Sequence, residues 1–560
     1  MRTLVAALLT VAATLAQTTP PSNAATAPPP GSISGTVMDA GTGAPLAGVQ
    51  VSTARGGGAP AANVTTDEQG RYSLRDIPPG QRRVAALARD AGGALGPGPS
   101  AARLVTLQPG QDLTGINIRL RSQAEISGRV YDANKEPIPD IRVALIAREY
   151  TLGAVRYVFA SMSITDDQGD YHLQRVEPGR AYLVVAQRRP TSLRTISDEP
   201  AEPKNRRPVP VPTYYPNSNI AEGGQPLVLR VGEHREGVDI RMARSANYCV
   251  SGVIEGPNGP APLQFQFVEA QPTSGSHGNG ATFVASPRGR AGDDGKVRIC
   301  NLHPGDYELT TFQSPADPNG APPFYTSATV TVSDRDVQNV RLSAIPPIKV
   351  PGEVSWFGAA PNQPAEGKLT IDLRPLTRAP WGGEFRNLNM QSTMPGEFAF
   401  PGLLADEYAV SFRGVPPGCY IKDATYNNRS VLYEPLRAGA ASADEPLRLV
   451  LARDGGKIAV RVADKDNNLV GDATVVLIPA DAGNEPRLAA SFHSGQTDQN
   501  GAWTSGVIAP GKYYAIALTA PVDRSPESIG KLLRSRNRAE EVDLAPNGSS
   551  QVTLEPKTLE

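Results

Sequence analysis

The sequence predicts an all-β protein built from five tandem β-sandwiches behind a secretory signal peptide. Three observations carry that expectation. First, turn formers are abundant, with Gly 55 and Pro 53 in 560 residues, and they show no period of three, so they punctuate short strands rather than build a collagen-like helix. Second, one turn–strand–turn stretch recurs. It reads Thr66-Asp67-Glu68-Gln69-Gly70-Arg71-Tyr72-Ser73-Leu74 followed by Pro78-Pro79-Gly80, and it returns at Asp166 to Gly169 with Pro178-Gly179, at Asp293 to Gly295 with Pro304-Gly305, and at Asp498 to Gly501 with Pro510-Gly511. A degenerate copy has Gly396 with Ala405-Asp406 in place of Pro-Gly. Third, the interval from turn Gly to the position of the second turn's Pro is nine residues in every copy: Gly70 to Pro79, Gly169 to Pro178, Gly295 to Pro304, Gly396 to Ala405, Gly501 to Pro510. A fixed interval means one strand of constant length between two turns of constant geometry, with one face able to pack and the other wet.

Taken in order, Met1 to about Ala24 has the form of a signal peptide: Arg2, an apolar run from Thr3 to Ala16, and small residues at Ala24-Ala25. The apolar run is short for a bilayer span, and no later segment has eighteen uninterrupted apolar residues, so the mature chain is expected to lack a transmembrane segment. Residues 25–31, with Pro28-Pro29-Pro30, form a stiff leader. The expected sandwiches then span 32–122, 123–244, 245–345, 346–453 and 454–560, roughly 105 residues each, which is ordinary single-domain size. Each is long enough for its own core, so the units form a series of domains rather than a thin-repeat solenoid.

The first opens on Ile33-Ser34-Gly35-Thr36-Val37 and closes on Ile116-Asn117-Ile118-Arg119-Leu120; the second opens on Ile126-Ser127-Gly128-Arg129-Val130 and closes on Val238-Asp239-Ile240-Arg241-Met242. Within the second, residues 188–220 carry several Pro, Arg and Glu with little periodicity and are expected to form a long exposed loop. The third runs from Val250-Ser251-Gly252-Val253 to Val340-Arg341-Leu342, and the fourth from Val350 to Leu451 with less regular turns. The fifth opens at Ile458 and closes at Leu554. It holds one good helix candidate, with Ser525 as cap, Pro526 at the first helical position, Glu527 at the positive end, and Ile529, Leu532 and Leu533 on one face.

These residues resemble the carboxypeptidase regulatory-like domain. The resemblance rests on the Ile-Ser-Gly-Thr/Arg-Val opening strand, an Asp-containing turn, Pro45-Leu46-Ala47-Gly48-Val49, then Thr-Asp-x-x-Gly-x-Tyr and Pro-Gly. It is similar also to collagen-adhesin B-type repeats. The resemblance implies a prealbumin-like Greek-key sandwich, non-catalytic and sometimes described as carbohydrate-binding-like, in tandem exported form in bacteria.

The chemical candidates are few. Formal net charge is −1, which gives no field steering the chain to nucleic acid. None of the five His has Glu three residues later, and no His-Glu-x-x-His stretch occurs, so no zinc peptidase centre is expected. There is no Gly-x-Ser-x-Gly elbow and no phosphate-cradling Gly-rich loop; Ser528-Ile529-Gly530-Lys531 matches Ser-x-x-Lys without companion motifs. Asp464, Asp466 and Asn468 have calcium-loop spacing but lack the turn Gly and the terminal Glu, position twelve being Val475. The repeated Asp67, Asp166, Asp293 and Asp498 read as turn formers that bond their own backbone. No catalytic residue, metal or cofactor is expected.

Tyr72, Tyr171, Tyr182, Tyr307, Tyr408 and Tyr513 recur just after the turns, as core or tyrosine-corner residues do. Aromatics outside that pattern are the ligand candidates: Tyr214, Tyr215, Phe324, Tyr325, Trp356 and Trp381. Of the three cysteines, Cys249 and Cys300 sit in predicted strands of the third unit and are candidates for a disulfide in an oxidising compartment, while Cys419 reads as a small packing residue. The function expected is a secreted, periplasmic or cell-surface protein with a structural, adhesive or scaffolding role, with glycans or envelope proteins as partners; the alternative is a carbohydrate-binding protein using the loop aromatics.

Overall fold

A computed structural model describes residues 28–39, 43–54, 62–87, 100–120, 123–188, 208–256, 259–260, 267–272, 277–278, 281–282, 288–290, 292, 294–312, 325–346, 348–358, 367–376, 388–439 and 445–559. The expected signal peptide lies outside the described residues, as do Asp293, Phe324 and Trp381. The described chain is all-β with several sheets and two short helices.

The sheets repeat one plan. In each stretch the opening strand pairs antiparallel with the strand after the repeated turn and parallel with the closing strand. Gly31–Asp39 lies between Arg71–Ile77 and Ile118–Leu120. Ala124–Tyr131 lies between Asp170–Val176 and Ile240–Arg241. Ile348–Trp356 lies between Gly396–Leu403 and Leu447–Ala452, and Lys457–Val462 between Ala502–Thr504 and Ser549–Leu554. A second sheet faces each of these, centred on Gln50–Ala54 with Gly80–Leu87, Ile141–Thr151 with Ala181–Arg188, Leu369–Pro375 with Glu407–Arg413, and Thr474–Pro479 with Gly511–Leu518. Alternating side chains from the two sheets meet in a core, as with Ile33, Val37, Val51, Leu74, Val84 and Ile118 in the first stretch. Full burial of such side chains contributes about 1.5–3 kcal/mol each.

The third stretch departs from the two-sheet expectation. Tyr325–Val332 pairs with Gly305–Phe312 on one side and with Val337–Ile345 on the other, which joins both halves into a single eight-stranded sheet around one core.

The recurring Asp is a backbone anchor. One carboxylate oxygen of Asp67 accepts from the amides of Gln69 at 3.0 Å and Arg71 at 2.8 Å. The amides two and four residues on do the same at Asp166, Asp498, Asp132 and Asp464, all between 2.8 and 3.1 Å. In the third stretch this position is Gly292, whose N–H and C=O bond Lys296 and Gly295, while Asp294 accepts from the Lys296 amide; the acidic turn is therefore shifted by two residues from Asp67, Asp166 and Asp498. The turn glycines Gly70, Gly169 and Gly501 have φ of +70°, +75° and +66°, and a Cβ on any of them would come within 2.5 Å of the carbonyl of Val37, Val130 or Val462. Only Gly fits, on both counts.

The residue before the Asp also has a role that its type alone did not announce. The buried hydroxyl of Thr66 accepts from the Val49 amide at 2.9 Å and donates to the Leu46 carbonyl at 2.7 Å; Thr165 and Thr497 make the same bridge in the second and fifth stretches. Two residues past the turn Gly, Tyr72 and Tyr171 donate to the carbonyls of Ile116 and Val238, two residues ahead of the closing strands, both at 2.6 Å. Those same carbonyls press against Gly35 and Gly128 of the opening strands, where a Cβ would lie inside contact distance. The second set of tyrosines are corners: Tyr307, Tyr408 and Tyr513 each donate to the carbonyl four residues upstream.

Two parts of the chain differ from expectation. The segment expected as a loop over 188–220 is structured from residue 208 onward. Thr213–Tyr214 adds a strand to the sheet edge at Val185 and Ala186, so Tyr214 covers the outer face of that sheet with Ala144, Ile146 and Ala221. The fifth stretch carries two helices, not one. The expected one, α2, spans Pro526–Arg534 with the Ser525 side chain accepting from the Ser528 amide and Ile529 and Leu532 buried. The other, α1, spans Glu485–Ser491, capped by Asn484 accepting from Arg487 with Pro486 in its first turn. Asn484-Glu485-Pro486 is a start signal of the same kind as Ser525-Pro526-Glu527, on a helix too short to show periodicity.

Candidate functional site

The aromatic candidates separate once placed. Tyr214 is 3 % exposed, and its ring is core. Tyr215 is half-buried against the core of the second stretch, with its amide donating to Val184 at 2.9 Å and its carbonyl accepting from Gln225 at 2.8 Å. Trp356 packs against the core of the fourth stretch, and its indole N–H donates to the Met394 carbonyl at 3.1 Å. Tyr325 begins the strand Tyr325–Val332. The described candidates are thus spread over three stretches, Tyr214 and Tyr215 in the second, Tyr325 in the third and Trp356 in the fourth.

The polar candidates are occupied by the fold. Asp464 is lowered by the Asn468 side chain and then the Asn468 backbone amide, and Asp67 is lowered chiefly by the Arg71 amide. Among the described residues no group of three His, Cys, Asp or Glu is arranged to hold a metal. Ser528 sits in the first turn of α2, where its amide is taken by the cap. Burial depresses the His303 imidazole to about 4. Cys249 and Cys300 face each other across an antiparallel pair and are joined as a disulfide. Cys419 remains a thiol, raised by burial. A cavity of about 110 Å³ lies beside Ile516, Glu540, Glu555 and Lys557, small against the ~300 Å³ at which ligand pockets begin.

The most developed constellation is one that sequence reasoning did not find. Ile141–Thr151 and Ala154–Ile164 form a hairpin of eleven residues a side, closed by Leu152-Gly153 with φ of +45° and +79°, the signs of a type I′ turn. Its tip reaches the fifth stretch. There α1 and α2 cover the outer face of the strand Thr474–Pro479, so that Val476 and Ile478 are buried on the side opposite Val475 and Leu477. Tyr150 enters this second core beside Leu488, Phe492, Ile529 and Leu532. Its N–H donates to the Arg524 carbonyl at 2.8 Å and its hydroxyl to the Glu485 carboxylate at 2.8 Å. Burial together with that carboxylate pushes the phenol up to about 12. On the same hairpin Arg156 pairs with Glu407 of the fourth stretch, which also takes Arg437. Arg487 of α1 lies 3.2 Å from the Tyr433 ring centroid, linking the fourth and fifth stretches. Arg103 of the first stretch pairs with Asp472 of the fifth at 3.3 Å. The stretches thus touch out of chain order.

Residues 32–121 match the carboxypeptidase regulatory-like domain. In this domain Thr66 ties the turn to the Leu46–Val49 segment, Asp67 closes the turn, the Gly70 carbonyl accepts from Val37 of the opening strand and Tyr72 bonds Ile116, and the recurrence of these bonds at Thr165, Asp166, Gly169 and Tyr171 extends the same construction to the second stretch. No curated protein matches the chain. Among solved structures it is similar to the Bacillus anthracis TIE protein, at 11 % identity over 75 % of this chain and 69 % of that one, with a TM-score of 0.15. It is similar also to the full-length major pilin RrgB from Streptococcus pneumoniae, at 10 % identity over 94 % and 100 % with a TM-score of 0.17, and to BcpA, the major pilin subunit of Bacillus cereus, at 11 % over 78 % and 100 % with a TM-score of 0.14. Scores at this level carry no argument about the arrangement or role of the stretches. Among the described residues no helix is long and apolar enough to cross a membrane.

Proposed function

We propose that the protein is an exported, non-catalytic scaffold of the cell envelope, made of five β units over 32–122, 123–244, 245–345, 346–453 and 454–560, four of them two-sheet sandwiches and the third a single sheet around one core. One observation carries this reading: the residues that recur most faithfully spend their chemistry on the fold itself. One carboxylate oxygen of each of Asp67, Asp166 and Asp498 takes two backbone amides, Thr66, Thr165 and Thr497 bridge two backbone groups, and Tyr72 and Tyr171 bond the backbone just ahead of the closing strand. A side chain held in this way is a building part, not a free acid, base or nucleophile. The Cys249–Cys300 disulfide supports an oxidising compartment, and the apolar run from Thr3 to Ala16 supports export.

The test is cell fractionation combined with an activity panel. The chain should be recovered from the periplasmic, surface or medium fraction, cut near Ala24, with Cys249 and Cys300 unreactive until reduced; a cytoplasmic, uncut chain would overturn the export reading. The purified chain should turn over no substrate in peptide and glycan panels. Turnover would overturn the scaffold reading, and saturable glycan binding lost on Tyr215→Ala would replace it with the carbohydrate-binding alternative.

A further inference from the structure

The hairpin and α1, one of the two helices it meets, occupy the same place in their respective units. Among the described residues, the strands equivalent to the hairpin in the first, fourth and fifth stretches are shorter: Gln50–Ala54 with Asn63–Thr65, Leu369–Pro375 with Leu388–Ser392, and Thr474–Pro479 with His493–Gln496. In the second stretch both strands run to eleven residues, which carries Tyr150 beyond the body of its sandwich. In the fifth, the same strand-to-strand connection contains α1. Both departures from the repeated plan therefore end at one contact, between residues 335 apart in the chain.

We infer that residues 150–153 are a clasp that seats in the pocket between α1 and α2 and folds the chain back on itself, so that the scaffold is a closed body rather than a rod of units in series. The pocket's occupant is Tyr150, its ring in an apolar core and its backbone N–H and ring hydroxyl each given a partner. Buried aromatics with satisfied polar tips dominate the energetics of such interfaces. The Arg156–Glu407 pair, with side chains 10 % and 26 % exposed, fixes the hairpin's direction by anchoring its return strand to the fourth stretch. Because clasp and pocket belong to one chain, each contact forms at high effective concentration and needs less intrinsic affinity than a bimolecular one.

This inference deepens the scaffold reading, and its test separates the two. Hydrogen exchange on the unmodified full-length protein reads the clasp directly: the Tyr150 amide, beside a solvent-facing turn, should be protected by the Arg524 carbonyl, and exchange at the rate of an open loop would overturn the clasp. Small-angle scattering on variants gives the second readout. Tyr150→Asp places a carboxylate in the apolar pocket and should enlarge the radius of gyration and strip protection from α1, while the amides of Val143 and Ile126 keep theirs. Tyr150→Phe removes only the hydroxyl and should stay closed. An unchanged radius in Tyr150→Asp with its core intact would overturn the clasp and leave the scaffold reading standing. Turnover in the panels above would do the reverse.

Discussion

Around Gly169 and around Gly396 the chain makes the same step from turn to strand with different chemistry. In the second stretch the turn is polar. Asp166 gathers two amides, Thr165 bridges Ile138 and Ile141, and Tyr171 donates to Val238 while that carbonyl abuts Gly128. In the fourth stretch the corresponding positions are Thr393, Ser392 and Phe398. Thr393 and Ser392 donate to nearby carbonyls of their own turn, the indole of Trp356 donates to Met394, and the Phe398 ring lies over Gly352. Phe398 meets Phe400 edge to face at 5.8 Å. The shared element is an aromatic set opposite a glycine across an antiparallel pair, Tyr171 on Gly128 and Phe398 on Gly352. Hydrogen bonds complete it in one case and aromatic packing in the other. What the nine-residue interval preserves is therefore the backbone path, with the side-chain chemistry free to change around it.

The largest expected effect separates the two glycines. Gly128→Ala puts a methyl against the Val238 carbonyl, which is backbone fixed by the Val238 amide donating to the Ser127 carbonyl. Gly352→Ala meets the Phe398 ring, which is a side chain and can swing away. We expect a loss of about 3–5 kcal/mol for Gly128→Ala, in the range of severe overpacking and strain, and about 1–2 kcal/mol for Gly352→Ala. Denaturant unfolding followed by hydrogen exchange in the strands Ala124–Tyr131 and Ile348–Trp356 resolves the two sites. Equal losses would mean that the aromatic in the fourth stretch is as fixed as the backbone in the second.

A smaller effect tests the polar bridge. Thr165→Val keeps shape and leaves the Ile141 N–H and the Ile138 C=O without the hydroxyl that joins them. An orphaned buried group costs about 1–3 kcal/mol. Ser392→Ala removes a hydroxyl that serves only the neighbouring Thr393 carbonyl, and a cost of about 0.5–1 kcal/mol is expected. The same unfolding measurements apply, and an effect of Ser392→Ala as large as that of Thr165→Val would show that the fourth turn depends on its hydroxyl too.

Much of this framework was legible because it is local. The amide-binding turns at Asp67, Asp166 and Asp498, the tyrosine corners at Tyr307, Tyr408 and Tyr513, and the caps of α2 are all set by residues within four or five positions of each other, and such signals survive in one sequence. The candidate site was not legible in the same way. Tyr150 looks like any strand aromatic until its partner Glu485 is known, and nothing within the hairpin encodes a contact 335 residues away. A better clue was available in the runs Val143-Ala144-Leu145-Ile146 and Val475-Val476-Leu477-Ile478, which are apolar at every position. A sheet with one wet face alternates; a continuous apolar run needs cover on both faces. In the second stretch the cover is Tyr214, which is why that residue is core rather than a ligand platform, and in the fifth it is α1, α2 and the visiting Tyr150.

The smallest effect concerns acid. Asp67 has its folded pKa lowered below the ordinary carboxylate value of 3.8, first by the Arg71 amide, whereas the fourth stretch has Thr393 at the equivalent position. A lowered carboxylate pKa adds stability above the unfolded value, and that contribution is lost as pH falls through 3.8 toward the folded pKa. Acidification should therefore raise exchange at the Gln69 and Arg71 amides, which the carboxylate receives, while the Glu397 and Phe398 amides after the fourth turn show no matching step. Asp67→Asn retains an acceptor oxygen without the titration and should flatten the pH response of Gln69 and Arg71. If the step persists in Asp67→Asn, the acid-sensitive group lies elsewhere in the first stretch and the carboxylate is only a spacer in the turn.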